Sequence, residues 1–267
     1  MKIKDVNFPA VMLFTFQVYA HIGLVYGIFY FNLIEWLMVL AVYFATGCLG
    51  VTITYHRLLS HKAFKPIKDW EIIGTLCATW GLVGSSIAWV NNHRSHHRWT
   101  DEKQDPHSPL ILGFWNVQFL SMFYSEKNLT YAKDLLRKKF HLAIHKNYFW
   151  IHLGIITTLL LVFGFHITAI VYLAPAAVLW NMGSLINNLG HIKTISYRNF
   201  DTPDVSQNNP YLGLLVWGEG WHNNHHNDSA NANFGTCVQE FDLGYYIIDK
   251  YLTYGESEKS IKEMRDG

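Results

Sequence analysis

Four long apolar runs, grouped in two pairs, constrain this chain more than any other feature. A helix needs ~20 mostly apolar residues to cross a bilayer. Residues 11–31 qualify despite His21, and residues 33–54 follow after a turn at Asn32, with Glu35 near the outer end. Residues 148–165 and 167–186 make a second pair around His166. Charged residues are 15% and aromatic residues 16% of the 267, a balance that suits a membrane protein better than a water-soluble one. The expected fold is all-α and integral to the membrane, with four transmembrane helices in two hairpins. A net charge of +1 gives no nucleic-acid signal. Cys48, Cys77 and Cys237 lie far apart, so neither a disulfide framework nor an iron–sulfur site is expected.

Outside the apolar runs, histidines gather in three clusters: His56 with His61, then His93, His96 and His97, then His222, His225 and His226. Topology decides whether they can meet. If the apolar segment 71–90 crossed the bilayer, the first two clusters would stand ~30 Å apart on opposite sides. Its glycines and serines (Gly74, Gly81, Gly84, Ser85, Ser86) weaken it as a span. We therefore expect interfacial or re-entrant helices near 71–90 and 113–123. Residues 55–147 and 187–267 then form one cap on one side. All 21 Lys and Arg fall on that side, which the positive-inside rule places in the cytoplasm together with both termini. The chain is expected to be a single multi-pass domain.

His93, His96 and His97 are spaced i, i+3, i+4, as are His222, His225 and His226, which puts each trio on one helix face. His56 and His61 are ~140° apart on an ideal helix, so they fit one at the last turn of the second span and one just beyond. Asn187 and His191, at i and i+4, are further candidates at the end of the fourth span. A structural zinc takes four ligands and a catalytic zinc usually three from protein. Nine histidines and an amide are enough for two metal ions. Carboxylates must orient such rings, and Glu219, Asp101, Asp105 and Asp228 are the candidates by sequence. His21, His141, His145, His152 and His166 read as ordinary surface or core residues, and His107 stays open between the two classes.

With TYHRLLSHKAF, WVNNHRSHHRWTDEKQDPH, NNLGH and GEGWHNNHH in this order, the chain resembles the membrane fatty acid desaturases, specifically their Δ9 acyl-CoA and acyl-lipid branch. The likeness runs from Val11 to Leu252. It implies a cytosolic cap over four spans and two iron ions held by His56, His61, His93, His96, His97, His191, His222, His225 and His226. Asn187 would reach one iron through a water. The resemblance leaves open how the ligands divide. It implies O2-dependent dehydrogenation of a saturated acyl chain to a cis double bond, at Δ9, inside a bent tunnel. Trp89 matches the residue near the bend, with interfacial anchoring as its alternative reading. By helical spacing from His56, Phe44 and Cys48 are candidates for the closed end of the tunnel, with ordinary helix packing as the alternative.

Two departures concern the substrate. Asn91-Asn92 stands where animal acyl-CoA enzymes carry Arg-Asp, and Ser184 stands where a Trp is frequent. The carrier could be a glycerolipid, CoA or an acyl carrier protein, and the missing Arg favours the lipid. Without an HPGG motif or a cysteine cluster the chain holds no haem or iron–sulfur centre of its own, and no flavin is expected. Electrons must come from outside, from a donor of ferredoxin, cytochrome b5 or rubredoxin type. Lys133, Arg137, Lys138 and Lys139 could dock it; contact with anionic lipid is the alternative. A membrane hydroxylase or ketolase acting on alkanes, sterols or carotenoids is the second reading. A metal-binding or transport protein is the third, disfavoured because the ligands lie at span ends rather than within them.

Overall fold

The computed structural model describes residues 7–193 and 195–253. Helix α1 (Phe8–Tyr30) starts where the Asn7 side chain accepts a hydrogen bond from the Ala10 N–H. Helix α2 (Leu33–Ser60) starts at Asn32, in a capping box completed by Glu35. Its first part, Leu33–Tyr43, is α-helical; Phe44–Ser60 winds as a π-helix. Side chains follow the wider winding: Thr54 donates to the Leu49 carbonyl and Ser60 to that of Tyr55, each five residues back. Helix α3 (Trp70–Trp80) lies against this part so closely that a Cβ on Gly50 would stand 2.4 Å from the Ala78 nitrogen.

Segment 71–90 is not one interfacial helix, as the sequence suggests, but the end of one element and the start of another. Leu82 and Gly84, at φ 57° and 101°, turn the chain after α3. Ser85 then caps α4 (Ser86–Trp99) by accepting from the Ala88 N–H. The 11 residues of α3 reach about 16 Å, too short for a ~30 Å hydrocarbon layer. Ile72, Ile73 and Leu76 nonetheless leave one apolar face exposed. Short helices α5 (Pro109–Leu112) and α6 (Phe114–Leu120), followed by a 3-10 turn at Ser121–Phe123, cover the second expected interfacial stretch. Helix α7 (Lys133–Leu136) leads into α8 (Lys139–Thr168), and a π turn at Ala169–Leu173 joins α8 to α9 (Ala174–Leu189).

Among the described residues, three helical segments are long and apolar enough to cross a membrane: Phe8–Tyr30, Leu33–Ser60 and Lys139–Leu189. The third is interrupted at Gly164, whose φ of 74° and ψ of 176° are not helical. The His152 ring bonds the Tyr172 hydroxyl, although a straight helix would hold those residues ~30 Å apart. The chain therefore folds back at Gly164, two residues before the expected turn at His166. His166 Nε2 lies 2.7 Å from Glu35 Oε1 and its Nδ1 3.1 Å from the Tyr26 hydroxyl, so the two turns are fastened together. Leu33, Phe29 and Leu161, at 74%, 75% and 81% exposed, present the apolar exterior that lipid would cover.

Beyond α9 the chain is mostly irregular, with short helices α10 (Pro210–Leu215), α11 (His222–Asn227) and α12 (Leu243–Ile247). Among the described residues there is no strand, only isolated bridges of Asn208 with Tyr197 and Trp221.

Candidate metal centre

The three histidine clusters and His191 converge into two groups. His56, His61, His93, His97 and His225 form one; His96, His191, His222 and His226 form the other. Within each group the potential ligand nitrogens lie within 4.8 Å of one another. In the first, His61 and His93 Nε2 are 2.8 Å apart, and His225 Nε2 is 3.0 Å from those of both His56 and His97. In the second, His191 and His222 Nε2 are 2.9 Å apart. The ring nitrogens of His96 and His226 that face the group, Nε2 in each, are buried without a hydrogen-bond partner. Converging imidazole nitrogens with unmatched lone pairs fit a cation, and imidazole suits iron, zinc, copper or nickel.

Local structure explains the convergence. The π-winding bonds the His61 N–H to the His56 carbonyl, 3.2 Å away, which brings residues five apart to one side. Arg94, inside the second box, fixes α4 against the end of α2. Its guanidinium donates to the Leu59, Ser60 and Tyr131 carbonyls and to both oxygens of Asp134. Gly190, between Asn187 and His191, leaves room for the His222 ring, which a Cβ would meet at 2.7 Å. The asparagines of HNNHH are turned away from the centre. Asn223 accepts from the Asn199 and Phe200 N–H groups, and Asn224 donates to the Phe234 carbonyl and Glu240.

Carboxylates orient four of the rings. His56 Nδ1 lies 2.6 Å from Glu219, His96 Nδ1 2.9 Å from Asp105, His191 Nδ1 3.0 Å from Asp101 and His226 Nδ1 3.2 Å from Asp204. Each bond leaves Nε2 free to face the group. Three of these carboxylates are those expected from sequence. Asp228 is not among them: it is exposed just after α11, and Asp204 takes the corresponding place. Glu219 also lies 3.6 Å from Arg57, which is fully buried, pairs with Asp242 at 3.0 Å and stacks 4.0 Å over the Phe234 ring.

In seven of these nine imidazoles burial favours the neutral form, the one that binds metal. It is the largest cause pushing His93, His96, His97, His222 and His225 well below the ordinary value, and it takes His61 down to about 2. Neighbouring histidines push the same way. Burial, the largest single cause, pushes Asp204 and Asp101 up, but hydrogen bonds and charge from His226 and His191, with hydrogen bonds from Ser206 to the first and from Val205 and Ser108 to the second, together leave both carboxyls low.

The family model for fatty acid desaturases matches residues 34–230, which include every one of these histidines. The chain belongs to the fatty acid desaturase family. It is 33% identical over 219 residues to a chloroplastic palmitoyl-monogalactosyldiacylglycerol delta-7 desaturase of Arabidopsis thaliana, covering 79% of this chain and 57% of that protein. With an icosanoyl-CoA 5-desaturase of Limnanthes douglasii it shares 32% identity over 80% of this chain and 61% of the relative. For an sn-1 stearoyl-lipid 9-desaturase of Anabaena variabilis the identity is 31%, over 85% of each. The chain thus spans about three-fifths of the length of these two plant relatives.

In this member of the family the centre opens on a cavity of about 210 Å³. His56, His93, His222, Asn187 and Trp89 are on its wall. Trp89 stacks on the His93 ring at 5.0 Å, beside the centre. Phe44 and Cys48 do not reach the cavity; Cys48 is fully buried in the core, and Phe44 packs on the edge of Trp217. The expectation assumes α spacing back from His56. Through the π-helix the cavity-facing positions are instead Tyr43, Gly47, Val51 and Thr52.

Lys133, Arg137 and Lys139 are exposed around α7, while Lys138 pairs with Glu71 at 2.7 Å. His107 sits beside His96 with Asp105, in a third possible ligand group, and burial lowers it to about 4. His21, His141, His145, His152 and His166 bond to Asn181, Glu71, Ser85, Tyr172 and Glu35 in turn, away from the two groups. Arg94, Asp204 and Asp242 carry no spacing that marks them in the sequence.

Proposed function

We propose that this protein is an O2-dependent fatty acyl desaturase that introduces a cis double bond, at Δ9, into a saturated chain. The observation that carries the reading is the pair of buried histidine groups opening on a largely apolar cavity. His56, His61, His93, His97 and His225 would hold one iron, and His96, His191, His222 and His226 the other, with Asn187 reaching the second through water. Bound there, two irons would supply the reduction of O2 and the oxidising power to take two hydrogens from adjacent methylenes. The balance is one O2, two electrons and two protons consumed, with one double bond and two waters formed. The chain's own part is to keep water out and to hold the reacting methylenes in place beside Trp89. Glu219, Asp105, Asp101 and Asp204 keep each Nδ1 protonated and each Nε2 inward.

In this reading α8 and α9 each cross the bilayer, folding back at Gly164, so that the protein has four spans in two hairpins. The cap and the metal centre then face the cytoplasm. A glycerolipid is the favoured acyl carrier. Asn91, at the place of the family's Arg, is fully buried: it accepts from the Tyr131 N–H and donates to the Glu126 carbonyl. Besides His and the engaged Glu219, the charged side chain on the cavity wall is Glu126, which would repel the phosphates of CoA. An external donor would dock on Lys133, Arg137 and Lys139, with Lys138 already engaged by Glu71. The test is expression in a host lacking desaturases, with double bonds located in the fatty acid methyl esters beside a His97→Ala control. New cis-unsaturated lipid from the wild type alone is expected. No new product from iron-loaded protein with a suitable donor would overturn the reading, and a hydroxylated product would replace it with hydroxylation.

A further inference from the structure

We propose that Trp217 sets the length of acyl chain the cavity accepts, with Gly47 as the seat of its indole. The inference rests on the acyl-cavity reading above. Trp217 is on the cavity wall with Tyr43 and Gly47. Its ring lies 4.6 Å from the Tyr43 ring, centre to centre, and in T-shaped contact with Phe44. A Cβ on Gly47 would stand 2.5 and 2.6 Å from two of the indole carbons, so only glycine accepts the ring at this depth. Tyr43 and Gly47 belong to the membrane-ward side of α2. Gly47 precedes His56 by nine residues (56 − 47), at most about 14 Å along the helix. The indole therefore closes the cavity a short distance from the metal centre.

The backbone holds Trp217 there at a cost. Its φ is 54°, a region that bulky residues rarely occupy, and Gly218 follows at 101°. Such conformations persist where the surroundings fix them, and they gather at ligand sites. Here the Trp217 carbonyl accepts from the Gly244 N–H at 3.1 Å, and Gly218 packs on Asp242 where any Cβ would collide at 2.2 Å. One turn of chain thus carries both the wall of the cavity and, at Glu219, the partner of His56. The cavity of about 210 Å³ is smaller than the ~300–1,000 Å³ usual for ligand pockets. A single large side chain at its end has leverage over what fits.

The two residues make opposite predictions. Trp217→Ala opens space toward Tyr43 and Phe44 and should admit longer chains. Gly47→Ala pushes the indole into the cavity and should favour shorter ones. The full chain and its variants are expressed in a desaturase-free host fed saturated acids of fourteen to twenty carbons, and product lengths are read by gas chromatography with iron content measured in parallel. One methylene in an apolar pocket changes preference by about 10–200-fold. Trp217→Ala should therefore raise the ratio of long to short products by roughly tenfold or more, and Trp217→Phe should do so in part. Gly47→Ala should lower the ratio, and should lose that effect in the Trp217→Ala background. Unchanged ratios, within twofold, in iron-loaded Trp217→Ala overturn the proposal. If that variant does not load iron, unchanged ratios in Trp217→Phe and Gly47→Ala overturn it equally. Absence of any unsaturated product from the wild type overturns the underlying desaturase reading, and this one with it.

Discussion

Replacing Glu219 by glutamine separates the charge on the first metal group from its geometry. The carboxylate accepts from His56 Nδ1 at 2.6 Å, with the two side chains 8% and 3% exposed. A glutamine oxygen can still accept that proton and hold the His56 tautomer. What disappears is the negative charge, and with it the more distant of the two carboxylates beside Arg57, at 3.6 Å against 3.0 Å for Asp242. Removing such a partner typically costs about 10–100-fold in metal affinity, or ~1.4–2.7 kcal/mol. A short, buried, charge-assisted bond places Glu219 toward the upper end of that range. The longer 3.2 Å bond between Asp204 and His226 should make Asp204→Asn milder. Asp228, exposed, should not matter. The assay is iron retention by purified protein in lipid nanodiscs under graded competition from a chelator. Retention by Glu219→Gln within twofold of wild type, or an equal loss in Asp228→Asn, would refute the assignment of orienting carboxylates.

Three further outcomes follow from other parts of the structure. Arg57→Met leaves Asp242 and Glu219 buried without their cation, which should cost about 3–5 kcal/mol, or roughly 6–20 °C in melting temperature followed by a thermal shift assay. Acid should destabilise the iron-free protein well before ordinary carboxylates titrate. An unfolded imidazole takes its proton near 6.5 and folded His107 only near 4, with His61 near 2. Between these values the unfolded chain binds more protons, so stability should fall as pH drops below about 6.5; a flat denaturation midpoint from pH 7 to 5 would contradict this. Gly164→Ala meets no neighbouring atom, so its cost, about 1–3 kcal/mol, is the backbone strain of its φ and ψ alone; an unchanged melting temperature would argue against the turn.

The histidine pattern makes the centre legible in the amino-acid sequence itself, because a helix puts i, i+3 and i+4 on one face whatever surrounds it. That rule holds for α4 and α11, which carry the second and third boxes. It breaks in α2. There the spacing of His56 and His61 suits a helix end if α geometry is assumed, whereas it is the mark of a π-helix. The same π-winding moves the cavity wall by one position, from Phe44 and Cys48 to Tyr43 and Gly47. One local departure thus accounts for both the closure of the first metal group and the misplaced tunnel residues. Asp204 is hidden for a different reason. It comes from an irregular loop thirteen residues after His191 (204 − 191), where no periodicity ties a side chain to the site. Asp228 is the better candidate only by its nearness in sequence to the third box. Ligands fixed by helical geometry can be read from spacing; the carboxylates that orient them can be read only where they share a rigid element or a tight turn with a ligand, as Glu219, Asp101 and Asp105 do.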